Sequence, residues 1–219
     1  RLVSATIGEL QAILERALLG EVLTVDEAER LLQGPPQELP AMLRAASRLR
    51  DAGHGRTVTW SRNLFLPLTN LCRNHCAYCG FRRDPGEPGA HTMTLDEVRD
   101  LCRRGRRAGC QEALVCLGDR PETAWPAHRR TLQRLGVAST AEYAAQACRV
   151  ALDEGLLPHT NAGALTRQEL ALLKRCNVSM GLMLESSSPR LGGHGLPHAA
   201  SPDKAPEVRL RVLRDAAEL

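Results

Sequence analysis

From Arg56 onward the sequence repeats one rhythm: a short apolar run, a polar break, then a helix opened by a capping signal. The apolar runs are Val58 to Leu68, Ala113 to Leu117, Leu156 to Asn161 and Val178 to Leu184. Thr94-x-x-Glu97, Ser139-x-x-Glu142 and Thr166-x-x-Glu169 each match the capping box, in which a hydroxyl and a carboxylate satisfy orphan N–H groups of a first helical turn. The first two helices are expected to reach about Ala108 and Glu154, and Pro206 suits the first position of a last one. Strands alternating with helices demand a parallel sheet, because every crossover returns the chain in the same direction. The expected fold is α/β, and four units in a row fit part of a TIM-type (β/α) barrel better than a two-layer sandwich. In such barrels the active site lies at the carboxyl ends of the strands. The unusual residues here fall at those ends: a cysteine-rich loop after the first, Gly118-Asp119 after the second, Asn161 at the third and Glu185 after the fourth.

The residues before this rhythm read as helices. Thr6-x-x-Glu9 and Thr24-x-x-Glu27 are capping boxes, and Leu10, Ile13, Leu14, Ala17 and Leu18 recur at helical spacing. Gly34-Pro35-Pro36 interrupts the pattern, which resumes from Leu39 to Leu49. The chain thus divides into a helical leader, residues 1–55, and a core, residues 56–219. Asp84 to Gly89 and the Gly/Ser/Pro/His-rich stretch Ser186 to Ala205 read as loops. A polar excursion follows Gly118 to Glu122 and lasts to Gly136. A start at Arg1 and a helical pattern still running at Leu219 read as trimmed ends or as a fragment of a longer protein.

Composition narrows the function classes. At 219 residues, 43% hydrophobic and 25% charged, the chain has the make-up of a globular domain with one sizeable core. No run approaches a membrane span and no signal-peptide pattern opens the sequence, so the expected setting is cytoplasmic, with no membrane partner. The formal charge of +4 rests on arginine, Lys174 and Lys204 being the only lysines. Arg103, Arg104, Arg106 and Arg107 share one predicted helix and read as a solvated face. With aromatic residues at 3% there is no stacking platform for single-stranded nucleic acid, and no nucleic-acid partner is expected.

Eight cysteines without a secretion signal argue against a disulfide framework. Cys102, Cys110, Cys116, Cys148 and Cys176 are scattered among apolar residues and read as buried free thiols. The other three, Cys72, Cys76 and Cys79, stand at C-x3-C-x2-C spacing directly after the first apolar run. One short loop of this kind can offer thiolates to three corners of a four-iron cube, leaving one iron without a protein ligand. Catalytic metal sites keep such an open position, whereas structural ones are closed. Two other readings stand beside it. Zinc would take a fourth ligand from His75 or His91, although His75 lies inside the loop. A closed ferredoxin-type cluster would need a fourth cysteine, and the next, Cys102, is 23 residues on within a predicted helix.

The cysteine motif, with Tyr78 just before its third cysteine, resembles that of the radical S-adenosyl-L-methionine (SAM) enzymes. Five segments in order resemble the CofG-type subunit or domain of FO synthase, which makes the deazaflavin chromophore. They are P-L-T-N-L-C-R-N-H-C-A-Y-C-G-F-R, G-C-Q-E-A-L-V-C-L-G-D-R-P-E, L-P-H-T-N-A-G-A-L-T, S-M-G-L-M-L-E-S-S-S and S-P-D-K-A-P. The resemblance implies a 4Fe-4S cluster on Cys72, Cys76 and Cys79 whose open iron chelates the amino and carboxylate groups of SAM. It implies SAM contacts from Tyr78, from Gly118 and Asp119 toward the amino group, and from Asn161 and Glu185 toward the ribose. The implied reaction is one-electron cleavage of SAM to methionine and a 5′-deoxyadenosyl radical. That radical takes a hydrogen from a hydroxybenzyl ribityl-aminouracil adduct, the central ring closes and ammonia is lost. The implied partners are a CofH-type subunit or domain that supplies the adduct from tyrosine, and an electron donor for the cluster. The family barrel has six strand-helix units, of which this sequence supplies about four. A CofH-type or biotin-synthase-like radical SAM enzyme, and a non-catalytic iron–sulfur or zinc module, are the alternatives.

Overall fold

The computed structural model describes residues 7–219, so Thr6 of the first capping box lies outside the described residues. The chain forms two compact units, Arg1–Trp60 and Ser61–Leu219, the division falling a few residues after the change of rhythm at Arg56. In the first unit the described residues form α1 (Ile7–Leu18), α2 (Val25–Leu32) and α3 (Leu39–His54), with a 3-10 turn at Pro36–Glu38. Thr24 and Glu27 close the capping box that starts α2: each side chain accepts from the other's backbone N–H. Among the described residues of this unit, Leu10, Ile13 and Ala45 are the buried apolar ones.

The second unit holds four strands, β1 (Asn63–Thr69), β2 (Glu112–Leu117), β3 (Leu157–Asn161) and β4 (Ser179–Met180). Between and after them run α4 (Leu95–Arg107), α5 (Pro121–Ala124), α6 (Pro126–Arg134), α7 (Thr140–Asp153), α8 (Arg167–Lys174) and α9 (Pro206–Ala217). All strand pairs are parallel and the spatial order is the sequence order, β1-β2-β3-β4. That order is what a barrel requires. A doubly wound sheet would reverse direction at a switch point, and none exists here. Full capping boxes at Thr94 and Thr166 start α4 and α8, and the Ser139 hydroxyl caps α7.

Period-two alternation separates the two faces of the sheet. Leu64 packs on Gly105 of α4, and Leu66, Leu68, Ala113, Val115 and Thr160 are buried toward the helices. The residues between them, Phe65, Leu114, Cys116, His159 and Asn161, stand on the opposite, more open face. Register places Phe65 beside Leu114, Leu114 beside His159, and Cys116 beside Asn161. The core lies between the outer sheet face and α4, α7 and α8, with fully buried Tyr143 donating its hydroxyl to the Met93 carbonyl at 2.7 Å.

Four expectations are corrected. The first strand begins at Asn63 rather than Val58, because pairing starts where Asn63 meets Glu112; Val58 and Trp60 remain exposed. The fourth strand shrinks from Val178–Leu184 to Ser179–Met180, which are the residues that pair with His159 and Thr160. The polar excursion folds as α5 and α6, each with proline in its first turn, where a missing N–H costs nothing. Cys116 is not a buried thiol of the core: it is half-buried on the open face, while Cys102, Cys110, Cys148 and Cys176 are buried as expected. All eight cysteines are free, and among the described residues no helix is long and apolar enough to cross a membrane.

Candidate active site at the carboxyl ends of the strands

β1 delivers the chain into the cysteine loop, whose base is tied shut. The Arg83 N–H donates to the Asn70 carbonyl at 2.8 Å, while the Asn70 amide accepts from the His91 N–H and donates to the Gly89 carbonyl. Within the loop the backbone satisfies little of its own hydrogen bonding. The N–H groups of Arg73, His75 and Ala77 donate to the carbonyls of Asp119, Ala200 and Pro197, at 3.0, 2.9 and 2.9 Å. The loop is therefore shaped from outside, by the end of β2 and by the segment before α9.

Each of the three thiols accepts at least one hydrogen bond. The Asp119 N–H donates to Cys72 Sγ at 3.1 Å, the Ser201 hydroxyl to Cys76 Sγ at 3.3 Å and the Arg82 N–H to Cys79 Sγ at 3.4 Å. Burial pushes the Cys72 thiol up from its ordinary range, and the N–H groups of Asp119 and Asn74 pull it back. The Arg82 Nε, three residues on from Cys79, is a buried donor without a protein partner. Among the described residues no three His, Cys, Asp or Glu side chains gather tightly enough for one metal ion, as a zinc site would require. Thiolates that each take a different corner of a cube need no such convergence. Three separate thiols, each with a donor, and an orphaned N–H on a residue that lines the same cavity as Cys76 and Cys79 fit a multi-iron group.

Cys76 lies between two cavities. On one side is an open, polar one of about 550 Å³, shared with His75, Cys79, Arg82 and Arg83. On the other is a cavity of about 330 Å³ whose walls include Cys72, Cys116, Gly118, Asp119, Asn161 and Met183. Phe65 and Phe81, packed edge to face at 6.2 Å, form its apolar side. Gly118 is indispensable to this arrangement: a Cβ there would sit 1.9 Å from the Leu71 carbonyl oxygen and 2.6 Å from Cys72 Cβ. The glycine lets the end of β2 touch the cysteine loop directly.

The other expected site residues separate into two groups. Gly118 and Asn161 line the cavity with Cys72 and Cys76. Asp119 also lines it, but its carboxylate is engaged internally. It accepts from the Ala164 N–H at 3.2 Å, Asn74 Nδ2 at 3.3 Å and the Arg209 guanidinium at 3.2 Å. Gly163, at φ +73°, leaves room for it, since a Cβ there would meet Asp119 Oδ2 at 2.3 Å. Burial and then the Asp203 charge push Asp119 up to about 6, against the pull of Arg209. Tyr78 is largely exposed and its hydroxyl meets His198 Nε2 at 2.8 Å. Glu185 lies five residues beyond β4, with a left-handed backbone at φ 65°, and pairs with Lys204, which holds its carboxyl below the usual range.

Sequence reasoning missed the residues that clamp the loop. Arg73 donates through Nε and a terminal nitrogen to both oxygens of Asp203. The Asp203 N–H donates to Asn74 Oδ1 at 3.1 Å, and Arg209 Nε to the Asp203 carbonyl at 2.6 Å. The available signal was Pro202, which starts the 3-10 turn Pro202–Lys204 and so presents Asp203.

Residues 66–219 match the radical SAM superfamily. The 7,8-didemethyl-8-hydroxy-5-deazariboflavin synthase of Methanococcoides burtonii is 48% identical over 162 residues, 74% of this chain and 47% of that protein. The FO synthase of Mycobacterium tuberculosis is 44% identical over 231 residues, 98% of this chain and 27% of that protein. The chain thus spans half or less of the length of these relatives. In fold it is similar to the FeFe-hydrogenase maturase HydG from Carboxydothermus hydrogenoformans (TM-score 0.75, 24% identity, 96% of this chain and 46% of that one). Methylornithine synthase is similar too (TM-score 0.68, 19% identity, 94% and 56%). With the superfamily match covering most of its length, and with a cysteine loop at the carboxyl end of the first strand of a parallel, barrel-ordered sheet, this chain belongs to the radical SAM superfamily.

Proposed function

We propose that this chain is the cluster- and SAM-binding part of an enzyme that forms the deazaflavin FO, with Cys72, Cys76 and Cys79 as the cluster ligands. The observation that carries the reading is that Cys72 and Cys76 line a cavity walled by Gly118 and Asn161, with all three thiols taking a donated hydrogen bond. Identities of 48% and 44% to relatives named for this synthesis support the substrate class. When bound, a reduced 4Fe-4S cluster supplies the electron that cleaves SAM and so generates the hydrogen-abstracting radical.

The chain's own residues bind and orient. Cys72, Cys76 and Cys79 would hold the cluster through three of its irons, which would leave one iron open to SAM. The end of β2 at Gly118 offers backbone groups without an intervening side chain, and the Asn161 amide faces the same cavity with capacity for ribose hydroxyls. Asp119 acts through the loop, holding Asn74 and the Ala164 turn in place. Glu185 and Tyr78 lie together at the edge, held by Lys204 and His198. Phe65, Phe81 and Met183 keep the cavity wall apolar, which limits water around a reactive intermediate. The organic substrate is the hydroxybenzyl ribityl-aminouracil adduct, with a CofH-type partner as its source and a separate electron donor. In this reading residues 1–55 are a leader and residues 56–219 the catalytic core.

Anaerobic reconstitution with iron and sulfide tests the proposal. A reduced four-iron signal that changes when SAM is added is expected, lost in Cys76→Ala and kept in Cys148→Ala. A protein that takes up no cluster, or whose signal ignores SAM, refutes it.

A further inference from the structure

The segment from Leu196 to Lys204 lies across the cysteine loop as a strap. Its backbone carbonyls at Pro197 and Ala200 receive the N–H groups of Ala77 and His75. His198 meets the Tyr78 hydroxyl, and Asp203 binds Arg73 and Asn74. Every one of these contacts is to the loop's backbone or to a side chain within two residues of a cysteine. One contact reaches a sulfur: the Ser201 hydroxyl, 3.3 Å from Cys76 Sγ. Ser201 is 4% exposed, and its hydroxyl has no other protein partner among the described residues. The backbone on either side is fixed, the Ser201 N–H donating to the His198 carbonyl at 2.9 Å and the Ser201 carbonyl accepting from Lys204 at 2.9 Å. The hydroxyl is thus held at the thiol by turns that do not depend on it.

We propose that Ser201 is a positioning residue for the cluster, donating to the Cys76 thiolate and raising the potential at which the bound cluster accepts its electron. The inference rests on the ligand assignment above. A hydroxyl donor stabilises negative charge on a thiolate sulfur. The reduced cluster carries one more negative charge than the oxidised one, so the donor stabilises the reduced form more. Hydrogen bonds to cluster sulfurs and the surrounding shell are recognised determinants of reduction potential. Two of the three thiols take their donor from backbone N–H groups, which no side-chain substitution removes. Cys76 is the corner whose donor is a side chain, and the corner that faces both cavities.

The test compares wild type, Ser201→Ala and Ser201→Thr, reconstituted anaerobically without SAM and titrated with dithionite under an EPR readout. Iron content and apoprotein melting are measured in parallel. Expected is equal iron in all three, a more negative midpoint in Ser201→Ala, and a midpoint at the wild-type value in Ser201→Thr. A Ser201→Ala midpoint equal to wild type overturns the inference, as does a Ser201→Thr midpoint that falls with it. If Ser201→Ala folds but holds no cluster, retention by Ser201→Thr supports the hydroxyl's role and loss in both refutes it. Failure of the wild type itself to take up a cluster is a different result, which removes the ligand assignment and this inference together.

Discussion

Replacing Gly118 by alanine isolates the contact between the end of β2 and the cysteine loop. The added Cβ would lie 1.9 Å from the Leu71 carbonyl oxygen and 2.6 Å from Cys72 Cβ, both belonging to or next to backbone. Ordinary contact begins near 3.4 Å, so the two segments must part by 1.5 Å at the first atom and 0.8 Å at the second (3.4 − 1.9 and 3.4 − 2.6). No side chain can rotate away to absorb that. Overpacking of this sort costs about 1–3 kcal/mol, and a backbone clash belongs at the upper end. The movement also stretches the Gly118 N–H bond to Thr69 and the Asp119 N–H bond to Cys72, each worth about 1 kcal/mol. A total loss of about 3–5 kcal/mol is expected, or roughly 6–20 °C in melting temperature for a chain of this size. Urea and thermal denaturation of the apoprotein measure it. Gly192→Ala, with nothing within 4 Å of its Cβ, is the control and is expected within about 0.5 kcal/mol of wild type. Iron uptake by Gly118→Ala is expected to fall, because the displaced residue is Cys72. A Gly118→Ala protein as stable as wild type and fully loaded with iron refutes the close-contact argument.

Three further outcomes follow from other parts of the site. Asp203→Ala leaves the Arg73 guanidinium without its carboxylate. The loss is expected at about 2–3 kcal/mol in urea denaturation, below that of a fully enclosed pair because 29% of the Arg73 side chain is exposed. Buried His128, against Thr140, has its proton affinity lowered by desolvation. The unfolded chain therefore binds that proton first. The His128 contribution to stability is present above the unfolded value of 6.5 and is lost as pH falls below it, so His128→Gln is expected to flatten the stability profile between pH 7.5 and 5.5. Asn161→Ala is expected to weaken SAM binding about tenfold, the worth of one good hydrogen bond, with iron content unchanged. Titration of the SAM-dependent EPR change measures that.

What the sequence disclosed was the chemistry that is local in the chain. Thr94 with Glu97 and Thr166 with Glu169 close their boxes within one helical turn, so spacing alone located α4 and α8. The cysteine spacing is equally local. Strand limits are not, because they depend on a partner. Val58 and Trp60 have strand-forming side chains but lie before Asn63, where the pairing with β2 begins, while β4 stops where His159 and Thr160 stop supplying partners. The helices after β2 escaped notice because they bury little: in α6 only His128 and Leu132 are buried, among four charged or amide side chains. Cys116 shows how a composition argument fails at single-residue scale. It lies in an apolar string, yet period two turns it away from Val115 and toward Asn161.

The clamp on the cysteine loop shows a deeper limit. Arg73 and Asp203 are 130 positions apart, Cys76 and Ser201 125, and no periodicity connects them. The loop has so little internal bonding that its shape must come from such distant partners: β2 through Asp119, the strap through Pro197, Ala200 and Asp203, and α9 through Arg209. A ligand loop built this way is held ready before a cluster arrives, at the cost of depending on residues that touch no iron. The two kinds of variant should then differ in character. On the proposed ligand assignment, loss of Cys76 is expected to remove a ligand and abolish the cluster. Loss of Asp203 leaves all three thiols present but free to spread, so a cluster still forms and is lost faster to a chelator, with the half-life of iron release as the measure. Equal chelator half-lives in Asp203→Ala and wild type would mean that the cysteines alone set the loop's geometry, against every hydrogen bond the strap makes.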